Sequence, residues 1–123
     1  MKFIDPGFKG NNPGHYSTAV VSNGMLYVSG LLSMDPDTRE VCTGNIEAHA
    51  AQALQNLAAG VERSQVVFCR VYTPSNEYWG PINALYAQFF GEHKPGRVVV
   101  STTPLHFGCL VEIECIAELE AHD

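Results

Sequence analysis

The chain has 123 residues, 46% of them hydrophobic, so residues 1–123 fit a single domain that buries its own core without a disulfide or metal staple. The formal net charge of -6, with no cluster of Lys or Arg along the chain, argues against the basic surface that nucleic-acid binding requires. Met1–Asn12 lacks the apolar run of a secretory signal, and no window reaches the ~18 apolar residues of a membrane span. We therefore expect a cytoplasmic protein without nucleic-acid or membrane partners.

In chain order, the first predicted element is a β-hairpin. Residues 18–22 and 25–29 flank Asn23-Gly24, a pair that readily adopts two positive φ angles. A turn at Asp35-Pro36-Asp37 follows, and Asn45 stands where its side chain can cap a helix.

Apolar residues then recur at helical spacing and form one stripe: Ile46, Ala50, Leu54, Leu57 and Val61. The polar residues Glu47, Gln52 and Gln55 lie on the opposite face, and Gly60 weakens the end of the helix. This pattern predicts a first helix that packs on a sheet.

The β-branched run from Val66 to Tyr72 predicts a third strand, whose near-continuous apolarity indicates burial on both faces. Pro81 stands where the first turn of a second helix tolerates a missing N–H. That helix is predicted to run to about Phe90, with Gly91 beyond its end. Its inner face is predicted to comprise Ile82, Leu85, Tyr86 and Phe89.

Residues 97–101 predict a fourth strand, and the alternation over residues 110–119 predicts a fifth. One face of the fifth strand is predicted to be buried: Val111, Ile113, Cys115, Ala117 and Leu119. The order β-β-α-β-α-β-β predicts an α+β fold with two helices on one face of a mixed sheet. The other face mixes Leu110 and Ile116 with carboxylates, so we expect it to be buried against other subunits.

Two charged residues are candidates for ligand chemistry. Arg97 begins a strand directly after a turn, where its guanidinium could bind a carboxylate by two parallel hydrogen bonds or lie over the valines as a surface residue. Glu112 lies in the most apolar strand. Its carboxylate must therefore be hydrogen-bonded, be paired with Arg70 or Arg97, or have a raised pKa. Glu114 competes with Glu112, since it shares the same face.

Other residues carry weaker signals. Gly30 allows either a close approach of a ligand or a plain bulge, and Tyr16 either orients a ligand or closes the core. The cysteines Cys42, Cys69, Cys109 and Cys115 form no C-x-x-C pair and are predicted to be reduced thiols. The five histidines show no metal-ligand spacing, so neither a metal nor a cofactor is predicted.

Across nearly its whole length the sequence resembles the Rid or YjgF family, also called the L-PSP endoribonuclease family. The order and spacing of five segments together carry the resemblance: Pro13–Val20, Leu26–Gly30, Asn83–Gly91, Lys94–Arg97 and Leu110–Ala117.

The resemblance implies a chorismate-mutase-like fold and a homotrimer, with the sheets forming a central barrel and a pocket between each pair of neighbouring subunits. It implies hydrolysis of reactive 2-imino or enamine acids to 2-keto acids and ammonia. The residue matching Arg97 would hold the substrate carboxylate, while the residue matching Glu112, with the backbone carbonyl of Val99, would steer the attacking water. The positions of Tyr16, Ser29, Gly30, Leu31 and Asn83 would shape the pocket.

Leu31 stands where the family usually has glutamine, which predicts a less polar pocket. Two alternatives stay open beside the deaminase. One is a non-catalytic trimer that binds small carboxylates through Arg97. The other is an endoribonuclease, against which the acidic charge argues.

Overall fold

A computed structural model describes residues 1–4 and 14–119. Pro13, where the first resembling segment begins, most of Met1–Asn12 and His122 lie outside these residues. The described elements are β1 (Lys2–Ile4), β2 (Ala19–Ser22), β3 (Met25–Leu32), α1 (Ile46–Ala58), β4 (Val66–Thr73), α2 (Trp79–Phe90), β5 (Gly96–Ser101) and β6 (Glu112–Glu118). Short 3-10 turns occupy Arg63–Gln65, Asn76–Tyr78 and His106–Gly108.

The strands form one mixed six-stranded sheet in the order β1-β2-β3-β6-β4-β5. β4 and β5 pair in parallel, and the other neighbouring strands pair antiparallel. The α+β class and the mixed sheet are confirmed. β1 was not predicted: it adds a short strand to the edge of the hairpin, so the order begins with three strands rather than two.

Local signals place the hairpin and both helices where the sequence predicts them. Asn23 and Gly24 have φ angles of 51° and 75°, as a tight two-residue turn between β2 and β3 requires. The Asn45 side chain accepts a hydrogen bond from the Ala48 N–H at 3.0 Å and caps α1. Pro81 lies in the first turn of α2, and Gly91 ends the helix with a φ of 62°.

The core lies between the two helices and one face of the sheet. α1 contributes Ala50, Ala53 and Leu57, and β6 with the preceding residue contributes Val111, Ile113, Cys115 and Ala117, all at most 3% exposed. The predicted alternation of β6 is therefore confirmed over these residues. Leu119 is the exception at 40% exposure, because the strand ends at Glu118.

The opposite surface of the sheet, which we call the outer face, is open in the single chain. It carries Phe3, Tyr27, Val98 and Val100, each exposed, beside the partly buried Ile116. Burial of β4 on both faces is consequently wrong for one chain, since Val67 and Arg70 are exposed. Leu110, predicted on this face, packs against the helix-side core instead. An apolar open face is what the sequence predicts if other subunits cover it.

All four cysteines are free thiols, as predicted, and Cys69, Cys109 and Cys115 are buried. Cys69 faces Cys115 across β4 and β6, and burial raises the pKa of Cys115 to about 12. Such thiols are inert packing groups at neutral pH. No helix in the described ranges has the length and apolarity needed to cross a membrane.

A buried histidine ties α1 to the segment before β6. The Leu110 N–H donates to Nδ1 of His49 at 3.2 Å, so Nδ1 carries no proton, and the Ser33 hydroxyl donates to the same atom at 2.7 Å. The neutral ring is favoured because burial lowers the pKa of His49, although a hydrogen bond to the Cys42 backbone acts in the opposite direction. His49 is therefore a neutral structural node.

Acid should weaken this node. An unfolded histidine binds a proton near pH 6.5, whereas folded His49 binds one only at lower pH, so between these values the unfolded state holds more protons. The contribution of neutral His49 to the free energy of unfolding is therefore fully present above pH 6.5 and is lost as the pH falls. Its size is about 1.4 kcal/mol for each unit by which the folded and unfolded pKa values differ. We expect the urea midpoint of the wild type to fall more steeply between pH 7 and pH 5 than that of His49→Asn, which keeps an acceptor but does not titrate. Parallel slopes for the two proteins would contradict this assignment.

Candidate functional site

Arg97 is the second residue of β5 and points to the helix side of the sheet, in register with buried Cys69. Its Nη1 donates to Oδ1 of Asn83 on α2 at 2.8 Å. Two aromatic rings flank the guanidinium: Cζ lies 4.9 Å from the centroid of Tyr86 and 5.6 Å from that of Trp79. These contacts hold the cation by hydrogen bonding and cation–π attraction, and no carboxylate among the described residues pairs with it.

Of the two aromatic flanks of Arg97, Tyr86 was predicted only as a residue of the inner face of α2. Trp79, Asn83 and Tyr86 follow one another at steps of four and three, which places them on one face of α2. This spacing is the signal that could have found them once Arg97 was known to face the helix. Tyr86 is 7% exposed, and its buried hydroxyl lies beside the Cys69 thiol. Burial raises the pKa of this phenol, so it stays neutral.

A cleft of 370 Å³ opens beside Arg97. Its walls comprise residues of α2, the loop after it and the start of β5: Asn83, Tyr86, Ala87, Phe90, Gly91, His93, Lys94, Pro95 and Arg97. The lining contains two full cations and no carboxylate. A separate open hollow of 670 Å³, lined by loop residues 58–65, contains none of the predicted site residues.

Glu112 begins β6 on the outer face, between Val111 and Ile113, whose side chains are buried on the helix side. Its carboxylate lies against the backbone of Gly30: a Cβ atom added to that glycine would stand 2.5 Å from Oε2. Gly30 therefore permits a close approach, and the partner that approaches within the chain is Glu112. Register between β3 and β6 shifts between Val28 and Leu31, so Gly30 also belongs to a bulge.

Glu114, the competitor of Glu112, is engaged elsewhere. Nη1 of Arg70 lies 3.2 Å from Oε1 of Glu114, and the Tyr72 hydroxyl donates to the same oxygen at 2.8 Å. Arg70 therefore pairs with Glu114 and not with Glu112. Burial raises the pKa of Glu112, with a smaller raising effect of Glu114 and an opposing effect of His106. Glu112 is thus a carboxylate whose protonation responds to its burial.

Ser29 directly precedes Gly30 and is bonded to the residues that follow Tyr16. The Ser29 hydroxyl donates to the Ser17 carbonyl at 2.7 Å, and its N–H donates to the Thr18 carbonyl at 2.9 Å. Tyr16 directly precedes these residues and is 51% exposed, so it does not close the core. These bonds connect the bulged strand to the two residues that directly follow Tyr16.

The described chain therefore brings the predicted residues together as two groups. We call Asn83 and Arg97 the arginine half-site, and Tyr16, Ser29, Gly30 and Glu112 the glutamate half-site. The first lies on the helix side of the sheet and the second on the outer face, so one chain does not bring Arg97 and Glu112 together.

Leu31 and Val99 belong to neither half-site by their side chains. Both are in register with the same row of residues across the sheet, Ile113 and Val71, and both pack against the helix-side core. Leu31 therefore does not line the cleft at Arg97. β5 is an edge strand of the described sheet, which leaves its outer backbone groups, in the stretch that includes Val99, without a strand partner there.

Comparison with known proteins gives consistent matches. The sequence profile described as Endoribonuclease L-PSP matches residues 10–119. A RutC family protein of Pyrococcus horikoshii is 36% identical over 87% of this chain and 89% of its own length. The 2-iminobutanoate/2-iminopropanoate deaminase of Rattus norvegicus is 35% identical over 85% of this chain and 80% of its own. A crystal structure from Thermotoga maritima superposes with a TM-score of 0.88 at 35% identity, covering 98% of this chain and 99% of that one.

Proposed function

Because the chain belongs to the Endoribonuclease L-PSP family, also called the Rid family, we propose that it hydrolyses reactive 2-imino or enamine acids to 2-keto acids and ammonia. Relatives at 30–35% identity to this chain are named 2-iminobutanoate/2-iminopropanoate deaminase and Reactive Intermediate Deaminase A. The proposal assigns the activity to a pocket between subunits of a homotrimer, with the substrate carboxylate at Arg97.

The observation that carries the proposal is the setting of Arg97. Its guanidinium is fixed by Asn83, Tyr86 and Trp79 but has no carboxylate partner among the described residues. A cation that is held in place yet unneutralised in an acidic chain is suited to bind an anion from solution. The planar guanidinium can receive a carboxylate through two parallel hydrogen bonds.

The separation of the half-sites supports a site formed by two chains. Arg97 and Glu112 lie on opposite faces of one sheet, so they can act on one substrate only if different subunits supply them. The outer face exposes Phe3, Tyr27 and Val100, which favours its burial between copies of the chain. A trimer in which the outer faces meet around a central barrel would join the arginine half-site of one subunit to the glutamate half-site of its neighbour.

In the proposed reaction the imine carbon is already electrophilic, so positioning a water molecule is the main requirement. Ionised Glu112, together with the backbone carbonyl of Val99, would accept hydrogen bonds from that water and direct its oxygen at the carbon. The C–O bond forms as the C=N π electrons move to nitrogen, which takes up the proton that Glu112 removes from the water. The hydroxyl proton of the carbinolamine then passes to its amino nitrogen, the C–N bond breaks as the C=O bond forms, and ammonia leaves.

The decisive experiment is an imine-hydrolysis assay. An amino-acid oxidase generates 2-imino acids in situ, semicarbazide traps the imine that remains, and ammonia is measured in parallel. We expect the wild-type protein to lower semicarbazone formation and to accelerate ammonia release, whereas a heat-inactivated sample should do neither. Binding of 2-keto acids without acceleration would instead favour the non-catalytic carboxylate-binding trimer. Cleavage of an RNA substrate that Arg97→Ala abolishes would favour the nuclease.

A further inference from the structure

The lining of the cleft beside Arg97 carries more positive charge than the binding of a single carboxylate by Arg97 requires. Lys94 lines the same cleft, three residues before Arg97, while the other lining residues contribute no acidic side chain. The whole chain has 13 acidic and 7 basic residues. Two full cations in the lining of one cleft, with no carboxylate in that lining, favour the binding of an anion there.

Other arginines of the described chain are already engaged within it. Arg63 donates to the Phe89 carbonyl at 2.9 Å and lies 4.1 Å from the centroid of that ring. Arg70 pairs with Glu114. Lys94, by contrast, is exposed and has no acidic partner among the described residues. Its ammonium is therefore available to a ligand that enters the cleft.

Part of the wall of the cleft is apolar. Tyr86 and Phe90 are buried side chains of α2 whose rings lie 4.7 Å apart, and Pro95 separates Lys94 from the start of β5. Such a surface suits a short hydrocarbon stem rather than a polar one. A volume of 370 Å³ leaves room for more than a carboxylate and a methyl group.

We infer that the cleft selects dicarboxylates: 2-imino or 2-keto acids whose first carboxylate binds Arg97 and whose second, at the far end of a short aliphatic stem, binds Lys94. The inference rests on the proposed carboxylate-binding role of Arg97. A lysine suits the second position because its ammonium is a compact charge on a flexible stem and tolerates ligands of different length. The second carboxylate would stay near the rim, where its desolvation costs little.

The test compares two keto acids that differ at the far end, 2-oxoglutarate and 2-oxohexanoate, by calorimetry at low salt. An exposed lysine–carboxylate pair is weak, so we expect a preference for 2-oxoglutarate of about threefold to fivefold in the wild type. The preference should shrink in 0.5 M salt, because screening by the salt limits electrostatic attraction to a range of a few ångströms. Lys94→Gln should abolish it, and Lys94→Glu should reverse it.

Lys2→Gln is the matched control, because it removes the same charge from the exposed strand β1 and should leave the preference unchanged. Equal affinities in the wild type, or a preference that survives in Lys94→Gln, would overturn the inference. Arg97→Gln separates this failure from that of the proposed function. If 2-oxohexanoate binding depends on Arg97 but 2-oxoglutarate is not preferred, only the dicarboxylate assignment is wrong; if Arg97→Gln binds both acids normally, both are wrong.

Discussion

Replacing Arg97 with glutamine is expected to lower kcat/KM for 2-imino acid hydrolysis by about 100-fold or more, since charge-assisted hydrogen bonds are worth ~1.5–3 kcal/mol each. Glutamine can still bond to Asn83, so the surrounding helix should keep its position. It lacks both the positive charge and the paired donors that a carboxylate needs. Initial rates of ammonia release over a range of substrate concentrations measure the loss.

Two further variants separate charge from geometry at this position. Arg97→Lys keeps the charge but loses the planar fork, so its activity should lie between those of the wild type and Arg97→Gln. Arg63→Gln removes the same charge from an exposed loop arginine outside the cleft and should retain most of the activity. If kcat/KM of the Arg97→Gln protein lay within threefold of the wild-type value, Arg97 would not be part of the substrate site.

Replacing Glu112 with glutamine should lower kcat by about 100-fold, the usual contribution of a positioned acid–base group, with a smaller change in KM. Only the ionised carboxylate can accept a hydrogen bond from the attacking water through either oxygen. Because burial raises the pKa of Glu112, its protonated form persists to a higher pH than for an ordinary glutamate. The wild-type kcat should therefore fall as the pH drops through this raised pKa, and Glu112→Gln should lack that limb.

A pH profile of kcat measures this effect, with Glu118→Gln, an exposed glutamate of the same strand, as the control that should keep the wild-type profile. Gly30→Ala offers an independent route to the same carboxylate. Its added methyl group would stand 2.5 Å from Oε2 and force Glu112 to move, so kcat should fall while keto acid binding persists. If Glu112→Gln kept the acidic limb, another group would be responsible for it.

The sequence predicts well those elements whose signals are local. Asn23-Gly24 determines the hairpin turn, Asn45 caps α1, and the alternation of β6 shows which residues are buried because each signal lies within a few residues of the element it shapes. β1 escaped prediction since three residues carry no period of their own and become a strand only by pairing with β2.

The site was predictable as a set of residues but not as an arrangement. Nothing in the order of residues states that Arg97 faces Asn83 and Tyr86, because that depends on which strand lies beneath α2. The contact between Gly30 and Glu112 depends on the register shift between β3 and β6, which period-two patterns do not reveal. The same shift turns the Leu31 side chain into the helix-side core rather than toward the outer face.

The placement of Arg97 and Glu112 on opposite faces of the sheet has a consequence for how activity depends on protein concentration. Under the proposed function a separated chain holds two incomplete sites and no complete one, so dilution below the dissociation constant of the assembly would abolish turnover. The specific activity would then rise with protein concentration, because only associated chains contain a complete site.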